Sequence, residues 1–122
     1  WIVALMVSIP LLVAPFRAAG ARVTVNSLWV LGWYGDYHKL AMARRVMAEV
    51  HGLSIDDRGD EILYVGDSTN DAPMFAFFDN SVGVSTVVDF LPHLPVPPTW
   101  VTRGPGGAGF VEVAGGILQA KG

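Results

Sequence analysis

Short apolar runs alternate with segments of helical character in the second half of this chain. Residues 61–65 and 81–84 are predicted strands, because each is a short apolar run beside turn-forming or polar residues. Pro73 is predicted to start a helix between them, and a last strand and helix are predicted over 100–102 and 110–119. Since strands that alternate with helices pair in parallel, the sequence predicts an α/β fold whose sheet is covered on both faces.

The first half of the chain predicts a further strand and a further helix. Residues 22–31 are rich in β-branched and aromatic side chains, which favours a strand, and turns are predicted at Gly32 and Gly35. Apolar side chains recur at helical spacing over 37–51, and Gly52 suits the position just past a helix end. The alternation of strand and helix therefore extends upstream of the two central strands.

The opening residues, 1–16, carry no charge, which raises the question of a membrane segment. A spanning helix needs about 20 apolar residues, and Pro10 and Pro15 would interrupt this one. We predict a buried helix or irregular core segment that ends at Gly20, and no membrane partner. A membrane or export element and an artefact at the edge of the sequence are the alternatives. Residue 1 is Trp rather than Met, so we expect a fragment of a longer protein.

The composition and charge of the chain exclude several classes of protein and of binding partner. Apolar residues make up 52% of the chain and charged residues 16%, which excludes a disordered chain. The formal net charge of -3 argues against a nucleic-acid partner, since nucleic-acid-binding proteins present a basic patch. The chain has no cysteine, which excludes disulfides and thiolate metal sites and permits a reducing compartment. We expect a cytoplasmic protein.

Polar residues cluster where the predicted strand over 61–65 ends, and this edge of an α/β sheet is where ligands bind. Gly66 permits a sharp turn, Asp67 follows it, and Asp71 lies four residues further on, at the entrance to the next helix. Two carboxylates at this spacing can face one cation, and oxygen ligands suit Mg²⁺. The other interpretation is a turn in which Asp and Asn side chains act as caps, and spacing alone leaves both open.

The string YVGDSTNDAPMF, residues 64–75, resembles the fourth motif, GDxxND, of the haloacid-dehalogenase (HAD) superfamily of phosphatases. Lys39 at the head of a helix, the strand over 81–84 and the glycine-rich segment before Phe110 strengthen the resemblance. Together they are similar to the branch with a large α/β cap, which includes sucrose-phosphate phosphatase and mannosyl-3-phosphoglycerate phosphatase. The resemblance covers about residues 21–122.

Roles for single residues follow from the resemblance. Lys39 would hold the nucleophile and the transferring phosphoryl group by its charge. Asp67 would be a direct Mg²⁺ ligand, and Asp71 would lie behind it or bind the ion through water. Asn70 would orient the phosphate or the neighbouring carboxylates. The resemblance therefore implies a magnesium-dependent site built from four residues of this chain.

The resemblance also implies an architecture and an activity. The architecture is a Rossmann-like parallel sheet, with residues 1–35 as the end of the cap domain and 36–122 as the carboxy-terminal part of the HAD core. The activity is that of a Mg²⁺-dependent phosphatase, a hydrolase that forms an aspartyl-phosphate which water then cleaves. The expected substrate is a phosphorylated sugar or glycosyl-glycerate.

Part of the family's machinery lies outside these residues. The family carries an amino-terminal DxDx[TV] motif, whose first Asp attacks phosphorus and whose second is the general acid–base, but no Asp-x-Asp occurs in this chain. We therefore expect the longer parent to be the enzyme and the 122 residues alone to be inactive. The alternative is a non-catalytic phosphate- or metal-binding domain that has lost its nucleophile.

Three other features have weaker claims to function. Residues 104–109 satisfy GxGxxG, but no second strand and no acidic residue about 20 positions on complete a dinucleotide site, so a turn is predicted. The three histidines are scattered, which favours solvated or helix-end positions over a metal site. Some aromatic and polar side chains of the first half are predicted to pack, with substrate contact as the alternative. They are Trp29, Trp33, Tyr34 and Tyr37, with Asn26 and Ser27.

Overall fold

The computed structural model of the chain describes residues 2–25 and 29–122, and side chains from residue 9 onward within these ranges. Contacts divide the chain into two compact units, Trp1–Tyr37 and His38–Gly122. The boundary implied by the family resemblance lies two residues earlier than this division. The assignment of the first unit to a cap domain stays a prediction.

The first unit contains an antiparallel hairpin. Strand β1 (Arg22–Val25) pairs with strand β2 (Val30–Trp33), with the first residue of β1 opposite the last residue of β2. The single strand predicted over 22–31 is therefore wrong, because the chain reverses direction between the two strands; residues 26–28 lie outside the described residues. The turn predicted at Gly32 is also wrong, since this glycine lies within β2.

Helix α1 (Ile2–Ala18) differs from its prediction. Pro10 and Pro15 lie inside the helix without ending it, although each proline removes one backbone hydrogen bond. The helix ends at Ala18, and the left-handed Gly20, with a φ of 77°, lies in the turn that follows it, where the sequence predicts the end of the segment. The predicted burial is wrong for the described side chains: Leu11 is 71% exposed, because the helix has only a two-stranded hairpin to pack against in the described part of this unit. No described helix is both long and apolar enough to cross a membrane.

The second unit is built around a three-stranded parallel sheet. Strands β3 (Tyr64–Gly66), β4 (Ser81–Gly83) and β5 (Trp100–Val101) lie in the order β3-β4-β5. Helix α3 (Ala72–Phe77) connects β3 to β4, and the 3-10 segment Ser85–His93 leads from β4 towards β5. The predicted parallel pairing is confirmed, and the chain is a mixed α/β protein.

Two longer helices belong to the same unit as this sheet. Helix α2 (Lys39–His51) ends at Gly52, whose φ of 63° and backbone hydrogen bonds to the last turn confirm the predicted helix end. Helix α4 (Gly106–Lys121) begins four residues before its predicted start at Phe110. Strand β3 is shorter than predicted, because Glu61 belongs to a 3-10 turn that precedes it.

The core lies where α2 packs against α3, and where α3 meets the 3-10 segment that follows β4. Two clusters of buried apolar side chains form it: Leu40, Ile55, Met74 and Phe78, and then Phe75, Val87 and Leu94. Helix α4 leaves an open groove of about 600 Å³ between itself and the sheet. Apolar residues of the sheet and of α4 line this groove, among them Leu63, Val82, Trp100, Val113 and Ile117. Helix α4 therefore covers its side of the sheet incompletely within the described residues, and the cover of both faces stays a prediction.

Candidate functional site

Asp67 lies directly after β3, at the carboxyl end of a parallel strand. Strand β3 stays paired up to its last residue, because the Gly66 carbonyl accepts the N–H of Val84 at 3.0 Å. Beyond this point the chain leaves the sheet, and Asp67 is exposed. Its Oδ1 lies 3.2 Å from the Ser68 hydroxyl oxygen. An exposed carboxylate at this edge of a parallel sheet is accessible to a ligand.

Asp71, by contrast, is buried, with 1% of its surface exposed. Its Oδ2 accepts the backbone N–H groups of Asp67 at 2.8 Å and Ser68 at 3.1 Å. The Ser68 hydroxyl accepts the N–H of Asp71 in return, which completes a reciprocal capping box. The carboxylate lies over Gly66, where an added Cβ would be 2.7 Å from Asp71 Cγ. Asp71 therefore fixes the conformation of the loop that carries Asp67.

Lys39 reaches this loop from the first position of α2. Its Nζ forms an ion pair with Asp71 Oδ1; the Lys39 side chain is 41% exposed, whereas that of Asp71 is 2% exposed. His38 caps the helix start, with its Nδ1 accepting the Ala41 N–H at 3.5 Å. Because an ammonium group has three N–H donors, the pairing with Asp71 leaves donors for a further acceptor.

The same oxygen of Asp71 also accepts a hydrogen bond from the Tyr64 hydroxyl, at 2.5 Å. Burial alone would raise the pKa of Asp71, but hydrogen bonds from Lys39, Tyr64 and the two loop N–H groups outweigh burial and hold this pKa below its ordinary value. Burial, and then the hydrogen bond to Asp71, raise the pKa of Tyr64 far above its ordinary value. At neutral pH, Asp71 is therefore a carboxylate and Tyr64 a neutral phenol.

Asn70 is half-buried in the same turn, and its Oδ1 accepts a hydrogen bond from the Ser68 hydroxyl at 2.7 Å. The Ser68 oxygen thus lies within hydrogen-bond distance of both Asp67 and Asn70. The structure brings Lys39 and Asp71 into direct contact, and it connects Asp67 and Asn70 to them through the loop. All four residues predicted for the site therefore lie around one loop.

Of the two carboxylates predicted to bind Mg²⁺, the structure leaves Asp67 open to an ion and occupies Asp71 with hydrogen bonds. Both oxygens of Asp71 already accept two hydrogen bonds each, so this carboxylate has no open position for a metal. The exposed Asp67 carboxylate does offer one, and Mg²⁺ is often held by one or two carboxylates with phosphate and water. Among the described residues, no group of three or more His, Asp or Glu side chains is arranged to hold a metal. Asp67 thus fits as a single ligand from this chain.

Two residues that make hydrogen bonds in this loop, Tyr64 and Ser68, are not among the predicted site residues. Tyr64 stands two positions before Gly66 and so shares its side of the strand, which is a signal that the sequence contains. Ser68 and Asp71 are three positions apart, the spacing of a capping box, and this pattern also precedes an apolar run. The sequence alone therefore indicates a position near the loop for Tyr64 and for Ser68, but it does not indicate the contacts that they make.

The histidines, the glycine-rich segment and the aromatic residues of the first half lie apart from the loop that carries Asp67 in sequence, and the structure gives each a position. His38 and His51 lie at the two ends of α2, as predicted. The segment 104–109 turns into α4, and its Gly104 carbonyl accepts the N–H of Ser85 at 3.2 Å. The predicted packing is wrong for Tyr34 and Tyr37, which the hairpin unit leaves exposed. Trp29 is also exposed, although it has an interaction partner within the chain. Asn26 and Ser27 lie outside the described residues.

In comparisons with known proteins, no family model, no curated protein and no solved structure matches this chain. A family assignment therefore rests on the motif residues themselves and on the contacts that they make.

Proposed function

We propose that this chain is the carboxy-terminal portion of a Mg²⁺-dependent phosphatase of the HAD superfamily. The observation that carries the proposal is the ion pair between Lys39 and Asp71, formed beside Asp67 at the carboxyl end of a parallel strand. These are the residues to which the resemblance gives roles in phosphoryl transfer. Their contact supports the proposal because it is not a consequence of the local sequence pattern.

Lys39 would bind the transferring phosphoryl group. Asp71 is buried and anchors one N–H donor of the ammonium, while the partly exposed Lys39 side chain keeps donors towards solvent. A phosphoryl group spreads negative charge over its oxygens in the transition state, and a fixed positive charge stabilises this state. The arrangement therefore suits the positioning of a phosphate more than it suits proton transfer.

Asp67 would hold Mg²⁺, with Asn70 beside it to orient the phosphate. A bound Mg²⁺ would neutralise charge on the phosphoryl oxygens. Asp71 would contribute through the loop, since its Oδ2 holds the backbone N–H groups of Asp67 and Ser68. The nucleophilic Asp and the general acid–base would come from residues outside this chain. The Asp would take the phosphoryl group as an aspartyl-phosphate while the ester P–O bond breaks and the general acid protonates the departing alcohol, and water would then release phosphate and regenerate the Asp.

The substrate class follows from the resemblance to the branch with a large α/β cap. A phosphorylated sugar or glycosyl-glycerate is proposed, with unit Trp1–Tyr37 as the end of the cap that selects it. A cytoplasmic location is part of the same proposal. The net charge of -3 agrees with a small-molecule substrate rather than with nucleic acid.

The test is phosphate release by the longer protein that contains this chain, assayed with a panel of sugar phosphates and a generic aryl phosphate. We expect turnover that requires Mg²⁺ and stops on chelation. Asp67→Asn should abolish turnover, because a neutral amide replaces the anionic ligand. Asp89→Asn is the matched control, since Asp89 is also an exposed aspartate but lies in the 3-10 segment after β4.

Two outcomes would contradict the proposal. Turnover in Asp67→Asn at the level of the unmodified protein would remove Asp67 from the metal site. Tight binding of phosphate or Mg²⁺ without turnover of any phosphomonoester would favour the alternative, a non-catalytic binding domain.

A further inference from the structure

The ring of Tyr64 is held between two phenylalanines of the core. It meets Phe75 edge to face, with ring centroids 5.7 Å apart and planes at 71°. It stacks on Phe78 with centroids 6.0 Å apart and planes at 14°. Such pairs fix the plane of a ring, and with it the place where the phenol oxygen can lie. The Tyr64 hydroxyl therefore has little freedom to follow a moving partner.

The hydroxyl meets Asp71 at the oxygen that also pairs with Lys39. The opposite oxygen of Asp71 accepts the N–H groups of Asp67 and Ser68. One carboxylate thus joins the lysine to the metal-ligand loop, and its rotation would move the two apart. Lys39 cannot by itself stop that rotation, because its flexible four-carbon stem can follow the oxygen.

We propose that Tyr64 is a positioning residue, whose hydroxyl fixes the orientation of the Asp71 carboxylate and thereby the placement of Lys39 relative to Asp67. This inference rests on the proposed phosphatase function and adds a residue to the four to which the resemblance gives roles. Tyr64 need not touch substrate. Its role is to donate a hydrogen bond to Asp71 Oδ1 from a ring that its aromatic neighbours hold in place. The other donor to this oxygen, the Lys39 ammonium, is on a flexible side chain.

The test is Tyr64→Phe in the longer protein, because this change removes the hydroxyl and keeps the ring. Misplacing a charge in the transition state lowers kcat, whereas ground-state binding is little affected. We expect kcat for phosphate release to fall about tenfold and KM to stay within about twofold. Trp100→Phe is the control, since it also removes a polar group and keeps an aromatic ring, and Trp100 is 52% exposed in β5, away from the residues of the candidate site.

A double variant separates positioning from general weakening of the fold. If the hydroxyl acts through Asp71, Tyr64→Phe should lower kcat little further once Asp71→Asn is present, because the two changes then interrupt the same connection.

Amide hydrogen exchange in the 122-residue chain gives a readout apart from activity. Exchange at Asp67 and Ser68 should quicken in Tyr64→Phe, while exchange in α4 should not change.

The outcomes distinguish this inference from the proposed function. An active parent in which Tyr64→Phe keeps kcat within about twofold of the original, or in which its effect multiplies with that of Asp71→Asn, overturns the positioning role alone. A parent that releases no phosphate overturns the proposed phosphatase, and the positioning role with it. A fall in kcat with unchanged exchange at Asp67 and Ser68 also overturns the inference, because the loop would then not depend on Tyr64.

Discussion

Lys39 and Asp71 lie 32 positions apart in the chain, and their ion pair joins the start of helix α2 to the loop after strand β3. The partners differ in their exposure, since Asp71 is enclosed while Lys39 is partly open to solvent. Such a pair has an anchored end and an accessible end. This asymmetry ties one end of the pair to the fold and leaves the Lys39 ammonium partly open to solvent.

Lys39→Met should destabilise the chain by about 2 kcal/mol, because a buried carboxylate loses a charged hydrogen-bond donor but keeps its three others. Arg45→Met is the control: Arg45 pairs with Glu49 on the surface of the same helix, and its loss should change stability by less than about 0.5 kcal/mol. Urea unfolding of both variants measures the difference. Equal effects for the two variants would show that the pairing with Asp71 adds nothing to stability.

Acid should remove the contribution of Asp71 to stability. Hydrogen bonds hold its pKa in the folded chain below the ordinary value of 3.8, so folding favours the ionised form. The contribution is complete above that value and is lost as the pH falls through the folded-state pKa. The difference in unfolding free energy between the unmodified chain and Asp71→Asn should therefore shrink between about pH 6 and about pH 2.5. A difference that stays constant or grows on acidification would contradict this assignment.

Gly66→Ala should displace the Asp71 carboxylate, because the new Cβ would lie 2.7 Å from Asp71 Cγ, where no real contact is tolerated. We expect a loss of about 2–3 kcal/mol in unfolding free energy, typical of overpacking in a closed site. Gly115→Ala is the opposite control, since nothing lies within 4 Å of an added Cβ there and alanine favours a helix by about 0.5–1 kcal/mol. A stabilising Gly66→Ala would show that the carboxylate does not occupy this position.

The path of the chain around the site could be predicted from local patterns. The apolar run before Gly66 predicts where a strand ends, and helical spacing up to Gly52 predicts α2. These features depend on neighbours in sequence, so they place Asp67 at a strand end without knowledge of the fold. The contacts of Asp71 with Lys39 and Tyr64 depend instead on how α2 packs against α3, and α3 against β3, which no local pattern contains.

In the first unit, too, the predictions fail where the structure depends on contacts that a local sequence pattern does not contain. The run over 22–31 contains neither Gly nor Pro, so its β-branched and aromatic residues predict one strand where the structure has two. Helix α1 could be recognised as apolar, but burial depends on what an element meets in the fold. Its Leu11 and Leu12 are exposed because the hairpin is too small to cover them in the described part of this unit.

The 122-residue chain by itself should release no phosphate from an aryl phosphate with Mg²⁺, since it contains no Asp-x-Asp to provide a nucleophile. It should also self-associate, because large apolar side chains such as Phe110 and Leu118 on helix α4 are exposed. Size-exclusion chromatography and a phosphate assay test the two expectations. Turnover that disappears in Asp67→Asn would contradict the first, and a sharp monomer peak would contradict the second.

The most direct test of the cation role of Asp67 is paramagnetic line broadening by Mn²⁺, used as a substitute for Mg²⁺, in the amide spectrum of this chain. Broadening should centre on residues 66–71, reverse on addition of excess Mg²⁺, and disappear in Asp67→Asn while persisting in Asp89→Asn. Broadening that centres elsewhere, or that survives in Asp67→Asn, would contradict the assignment of Asp67 as the metal ligand.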